Sequence, residues 1–141
     1  MTPADDAHLL SFGKKDDGTP YKGLVVDDSA FMIKNLVRMI ESFDAKVVDT
    51  AENGKIAVEK VEEHQDELDF VTLDITMPEM DGITALEKIR EMAPDLKVVM
   101  VSAMGQQDTV KKCVMMGAKH FIVKPFQRED VFEKLSKVLG V

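Results

Sequence analysis

From Lys22 onward the chain alternates short apolar runs with stretches in which apolar residues return at helical spacing. Gly23 to Val26 is an apolar run closed by Asp27 and Asp28, and it predicts a strand that begins at Lys22. Ser29 stands where a helix wants its N-cap, and Ile33, Leu36, Val37 and Ile40 then recur at i, i+3, i+4 and i+7 along one face. Lys46 to Thr50 predicts a second strand and Asn53 with Gly54 a turn. Ile56, Ala57 and Val61 mark a second helix, whose acidic end (Glu62, Glu63, Asp66, Glu67) reads as solvated surface. Leu68 to Leu73 is the third strand, and Ile83, Leu86, Ile89 and Ala93 line a third helix that Pro94 ends.

The same unit continues to the C-terminus. Leu96 to Val101 is nearly all apolar, as in a strand covered on both faces, and it runs into Ser102. Asp108 is placed to cap a helix with Val110, Cys113 and Val114 inward and Gly117 as its stop. Lys119 to Val123 predicts the fifth strand, closed by Lys124 and Pro125, and Val131, Leu135, Val138 and Leu139 mark the last helix. Five strands alternating with five helices through right-handed crossovers predict an α/β fold, a parallel sheet covered on both faces. Met1 to Pro20 offers only the apolar patch Leu9, Leu10 and Phe12 among Asp, Lys, Gly and Pro, so residues 1–20 are expected to be a flexible tail and 21–141 the folded domain, with docking of that patch on the domain or a partner as the second reading.

Composition narrows the function classes. A length of 141 residues suits one domain with its own core. The 26 acidic residues outnumber 18 basic ones for a net charge of −8, with no Lys/Arg cluster, which argues against nucleic acid or an anionic membrane as partner. A lone cysteine, Cys113, excludes an internal disulfide and suits a reducing compartment. No apolar run reaches the length of a membrane span, and the N-terminus lacks the basic start and long apolar core of a signal peptide, so the expected location is cytoplasmic.

The chemistry gathers at the strand ends. Val71 to Gly82, VTLDITMPEMDG, puts Asp74 at the mouth of a strand, where a single aspartate on its own reads as a turn residue or a helix cap. In an open parallel sheet, however, ligands bind beyond the carboxyl ends of the strands. Strand one brings Asp27 and Asp28 there, strand three Asp74, strand four Ser102 and strand five Lys124. Clustered carboxylates repel one another and need a cation or raised pKa values. A hard divalent ion such as Mg²⁺, held by one or two carboxylates and a phosphate oxygen, fits that set. His8, His64 and His120 lie on separate segments without zinc-ligand spacing and are expected at the surface. With Asp74 as nucleophile, Lys124 to neutralise charge and Ser102 to bond a phosphoryl oxygen, the set suits phosphoryl transfer to a carboxylate.

Four segments in order, VVDDSAFM, DITMPEMDG, VSAMG and FIVKPF, make the chain from Lys22 to its end resemble the receiver domains of two-component response regulators, in particular stand-alone chemotaxis receivers of the CheY type. The resemblance implies a doubly wound (βα)5 sheet of flavodoxin-like order 2-1-3-4-5. It also implies Asp74 as phosphoacceptor, Asp28 and Asp74 as direct Mg²⁺ ligands, Asp27 as a ligand through water, and the Thr76 carbonyl as a further ligand. Lys124 becomes the active-site lysine with a cis bond to Pro125, Ser102 the hydroxyl switch and Phe121 the aromatic switch position.

By the same resemblance a CheA-type histidine kinase supplies the phosphoryl group and the face of the fourth helix, fifth strand and fifth helix is remodelled. That face then binds a flagellar motor switch protein, and a CheY-type phosphatase ends the signal. Thr76 and Met104 are expected to tune its lifetime, Pro78 and Gly82 to shape the loop that presents Thr76, and Met104, Met115 and Met116 to suit an adaptable partner surface. With no output domain expected after Val141, the chain is expected to act as a monomeric phosphoacceptor and not as an enzyme on other substrates. Three rivals stand beside this reading. A phosphorelay intermediate would use the same residues. A Mg²⁺-dependent aspartyl phosphatase would want its two aspartates two positions apart on the first strand, where Asp27 and Asp28 are adjacent. A flavin protein is disfavoured by the lack of a Ser/Thr/Gly-rich loop after the first strand.

Overall fold

In a computed structural model that describes residues 10–77, 79–103 and 106–141, strands and helices alternate along the chain. They are β1 (Lys22–Val26), α1 (Ala30–Ser42), β2 (Lys46–Ala51), α2 (Gly54–His64), β3 (Phe70–Asp74), α3 (Gly82–Met92), β4 (Lys97–Ala103), α4 (Gln107–Met115), β5 (His120–Lys124) and α5 (Arg128–Leu139). All neighbouring strands pair in parallel in the order β2-β1-β3-β4-β5. The order reverses between β1 and β3, and that is where a doubly wound sheet opens its binding crevice.

The period-2 alternation of the strands divides the core into two layers. Leu24, Val26, Val71 and Leu73 point to one face, under Ala57 and Val61 of α2, Leu86 and Ile89 of α3 and Cys113 of α4. Val25, Phe70, Val99 and Val101 point to the other, under Leu36 and Ile40 of α1 and Val131 and Leu135 of α5. β3 is buried at every position, so Thr72 and Asp74 are carried inside with it. Among the described residues no helix is long and apolar enough to cross a membrane.

Three helices start where a short polar side chain caps them. Ser29 accepts the Met32 N–H, Asn53 the Ile56 N–H and Asp81 the Thr84 N–H. Asn53 and Gly54 are therefore a cap and a first helical residue, not a free turn. α4 departs from the pattern as well. Its N-cap is Gln106, whose side chain makes no cap bond, and Asp108 lies in the first turn, where its charge meets the positive end of the helix. Cys113 is fully buried, so the next residue, about 100° further round, turns outward; Val114 is 54% exposed and not part of the inner face.

The largest departure is at the N-terminus. Residues 10–20, expected to be a flexible tail, pack on the domain. Phe12 is 4% exposed, its ring stacked on Phe132 of α5 at 5.2 Å and edge-on to Phe43 at 5.4 Å. Its N–H donates to the Phe43 carbonyl, Ser11 donates to Asp44, and Lys15 pairs with Asp69 at 3.2 Å. Phe12 anchors the segment, and burial of one phenyl ring is worth about 2 kcal/mol. Residues 1–9, with His8 and Leu9, lie outside the described residues, as do Pro78, Met104 and Gly105.

Candidate functional site

Sheet register brings the acidic residues together. Val26 pairs with Leu73, so Asp27 and Asp74, one position further on, stand level at the carboxyl edge. Asp74 pairs with Val101, which places Ser102 just beyond it on β4, and Ala103 pairs with Lys124. Asp27, Asp28 and Asp74 each offer a carboxylate oxygen, all within 4.8 Å of one another, a group able to hold a metal ion. Asp27 and Asp74 are buried and Asp28 is exposed, so the cluster opens to solvent on one side.

Each carboxylate meets a different environment. One oxygen of Asp27 accepts the Ser29 N–H at 2.9 Å, and the other holds Lys124 Nζ at 3.0 Å. Lys124 reaches Asp74 less closely, at 3.5 Å. Burial, then the charge of Asp27, push the Asp74 carboxyl up to about 6, with Lys124 opposing and Asp28 adding to the rise. Burial acts to lower the Lys124 pKa, but its bond to Asp27 and the charges of Asp74 and Asp27 raise it overall, so it is a fixed cation. A surplus of negative charge among oxygen-only donors, one of them a carboxyl whose pKa burial and the charge of Asp27 raise to about 6, fits a hard divalent ion such as Mg²⁺.

The loop after β3 is shaped around this cluster. Gly82 N–H donates to the Ile75 carbonyl at 2.7 Å, and a Cβ on Gly82 would meet the backbone of Asp74 and Ile75. Only glycine lets α3 begin so close to the phosphoacceptor candidate. Thr76 is exposed, and its hydroxyl is bonded by the Gln106 side chain, a residue that sequence spacing did not single out. Ser102 is buried, Phe121 is half-buried against the α2–α3–α4 layer, and the Lys124–Pro125 bond is cis, as the resemblance implied.

A second group was also missed. Asp49 of β2 and Glu63 and His64 of α2 offer ligand atoms within 4.8 Å of one another. Their spacing showed no pattern because β2 and α2 bring them together only on folding. His64 Nε2 lies 3.1 Å from Asp49 and Nδ1 2.8 Å from Glu67, while Lys60 pairs with Asp49 at 3.0 Å. His64 is thus a partly covered bridging residue, and Lys60 already supplies the cation.

The chain is similar to known proteins along most of its length. Residues 24–136 match the family model of the response regulator receiver domain. The chain is 49% identical over 127 residues to the chemotaxis protein CheY of Treponema pallidum, covering 90% of this chain and 88% of that protein. It is 50% identical to the chemotaxis protein CheY of Bacillus subtilis over 83% of this chain and 96% of that one. Among solved structures it superposes with a TM-score of 0.85 and 44% identity on a chain of the CheX-CheY-BeF3-Mg²⁺ complex from Borrelia burgdorferi, covering 89% of this chain and 94% of that one.

Proposed function

We propose, because the chain belongs to the response regulator receiver domain family as a chemotaxis receiver of the CheY type, that Asp74 accepts a phosphoryl group from a CheA-type histidine kinase. The observation that carries this is the convergence of Asp27, Asp28 and Asp74 with Lys124 at the carboxyl edge of β1, β3 and β5. A carboxylate oxygen of Asp74 attacks phosphorus, an O–P bond forms as the bond from phosphorus to the donor imidazole nitrogen breaks, and the imidazole leaves with the electron pair. Mg²⁺, when bound by Asp28, Asp74 and the Thr76 carbonyl, with Asp27 through water, supplies neutralisation of the developing charge. Lys124 adds a fixed positive charge beside Asp74, and the Ser102 hydroxyl donates to a phosphoryl oxygen.

The output is binding. The groove of about 450 Å³ between α4 and β5, lined by Val110, Lys111 and Val123 among others, ends at Ser102 and Ala103. Movement of Ser102 toward the phosphoryl group and of Phe121 inward would remodel it for a flagellar motor switch protein. Exposed Met115 and Val114 extend the apolar surface. The Borrelia relative stands with CheX, BeF3 and Mg²⁺, and by likeness a CheX-like partner, acting as the phosphatase, is proposed to approach the same mouth. We place the protein in the cytoplasm with its kinase, as a monomeric phosphoacceptor. Intact mass after acetyl phosphate and Mg²⁺ tests this: wild type gains one phosphoryl group and Asp74→Asn none, and a wild type without the adduct ends the reading.

A further inference from the structure

The β3–β4 ladder breaks off beside the site in an unusual way. The Ile75 N–H donates to the Val101 carbonyl at 3.1 Å, so the backbone of Val101, and of Ala103 two residues on, faces β3. The next rung would run from the Ala103 N–H to the Ile75 carbonyl, but that carbonyl is taken by Gly82. The Ala103 N–H instead donates to Gln106 Oε1 at 2.6 Å, and Gln106 Nε2 donates to the Thr76 hydroxyl at 2.6 Å. One amide therefore ties the residue after Ser102 to the residue two past Asp74, linking the carboxyl ends of β4 and β3.

A phosphoryl group on Asp74 brings three oxygens that need donors. Lys124, the cation and Ser102 serve some of them, and the Ala103 N–H is a backbone donor on the same edge, facing the end of β3. In the resting protein that donor is occupied. On the reading of Asp74 as phosphoacceptor, we propose that Gln106 is a positioning residue that holds the Ala103 N–H and the Thr76 hydroxyl in the resting state and competes with the phosphoryl group for that donor. Its amide thereby sets part of the resistance to phosphorylation.

Two variants separate competition from a structural role. Gln106→Met keeps the length and loses both bonds; Gln106→Glu keeps the acceptor for Ala103 and adds a negative charge facing the incoming anion. With BeF3⁻ and Mg²⁺ as the probe, followed by amide NMR, the Met variant is expected to bind roughly fivefold tighter than wild type, the equivalent of one ordinary hydrogen bond. The Glu variant is expected to bind more weakly than wild type. In the unmodified proteins the Ala103 amide is expected to exchange faster with solvent in the Met variant, with the rest of β4 unchanged. A purely structural role would weaken both variants alike. If wild type binds BeF3⁻ through Asp74 and the Met variant binds no tighter, the inference is wrong and the phosphoacceptor reading stands. If wild type shows no Asp74-dependent binding, both fall together.

Discussion

Asp74 carries opposing demands in one side chain. It is buried, lies level with Asp27, and is held up to about 6 by burial and by that neighbouring charge. Its folded pKa stands above the ordinary value of 3.8, so between those two pH values the folded state holds the extra proton. The stability of the metal-free protein is therefore expected to fall as pH rises from 3.8 through about 6. At neutral pH the metal-free Asp74→Asn variant should be more stable, on the order of 2–3 kcal/mol, and should lose that slope in denaturant titrations. Proton and cation compete for the same oxygens, so Mg²⁺ affinity should climb through the same pH range and level off above it. Lys124→Met removes the cation that opposes the rise. In that variant the Asp74 carboxyl, followed by carbon NMR, should titrate above the wild-type midpoint, and an unmoved midpoint would show that Lys124 serves Asp27 alone.

At the scale of elements, the loop from β3 to α3 decides whether the site can form. Because a Cβ on Gly82 would meet the Asp74 carbonyl and the Ile75 backbone, Gly82→Ala must push α3 away from β3. The expected cost is about 2 kcal/mol, typical of overpacking, together with weaker Mg²⁺ binding by calorimetry; unchanged binding would mean the loop yields elsewhere. β2 and α2 are joined by a different device. Burial acts to lower the His64 pKa, but bonds to Asp49 and Glu67 and nearby acidic charge raise it overall above 6.5. The stability it adds is complete below 6.5 and fades as pH rises through the raised value. His64→Gln should therefore lower Tm more in mild acid than in alkali. These two features also mark what the sequence could and could not show. Asp27, Asp28, Asp74, Ser102 and Lys124 were readable because a parallel sheet delivers every strand's carboxyl end to one edge. The Asp49–His64 bridge and the Gln106 tie were not, because each depends on how a loop or helix folds back, and nothing in spacing encodes that path.

Across the whole molecule the sheet separates two jobs. The carboxyl edge holds the charged site, and the α1–α5 side holds an aromatic cluster that the N-terminal segment completes. Phe12 stands out in the sequence as part of an apolar patch, but one aromatic in a polar, Gly- and Pro-bearing stretch has no period to reveal which face it joins. Its surroundings define the consequence. Phe12 stacks on Phe132 of α5 and meets Phe43 at the end of α1, and Arg128 lies 4.7 Å from the centre of the Phe43 ring. The segment therefore pins α1 to α5, and α5 borders the groove face proposed for partner binding. Phe12→Ala should destabilise the protein by about 3 kcal/mol, near the low end for a buried ring because the chain end can relax into the gap. Deleting residues 1–20 should cost at least as much, since it also removes the Lys15–Asp69 pair and the backbone bond to Phe43. Both variants should keep Asp74 phosphorylation by acetyl phosphate, because the site lies at the other edge of the sheet. Denaturant melts of the two variants beside an Asp74 adduct measurement decide the matter. A deletion that melts like wild type would show that residues 10–20 rest on the surface without holding it, and a deletion that loses the adduct would show that the clamp reaches the site.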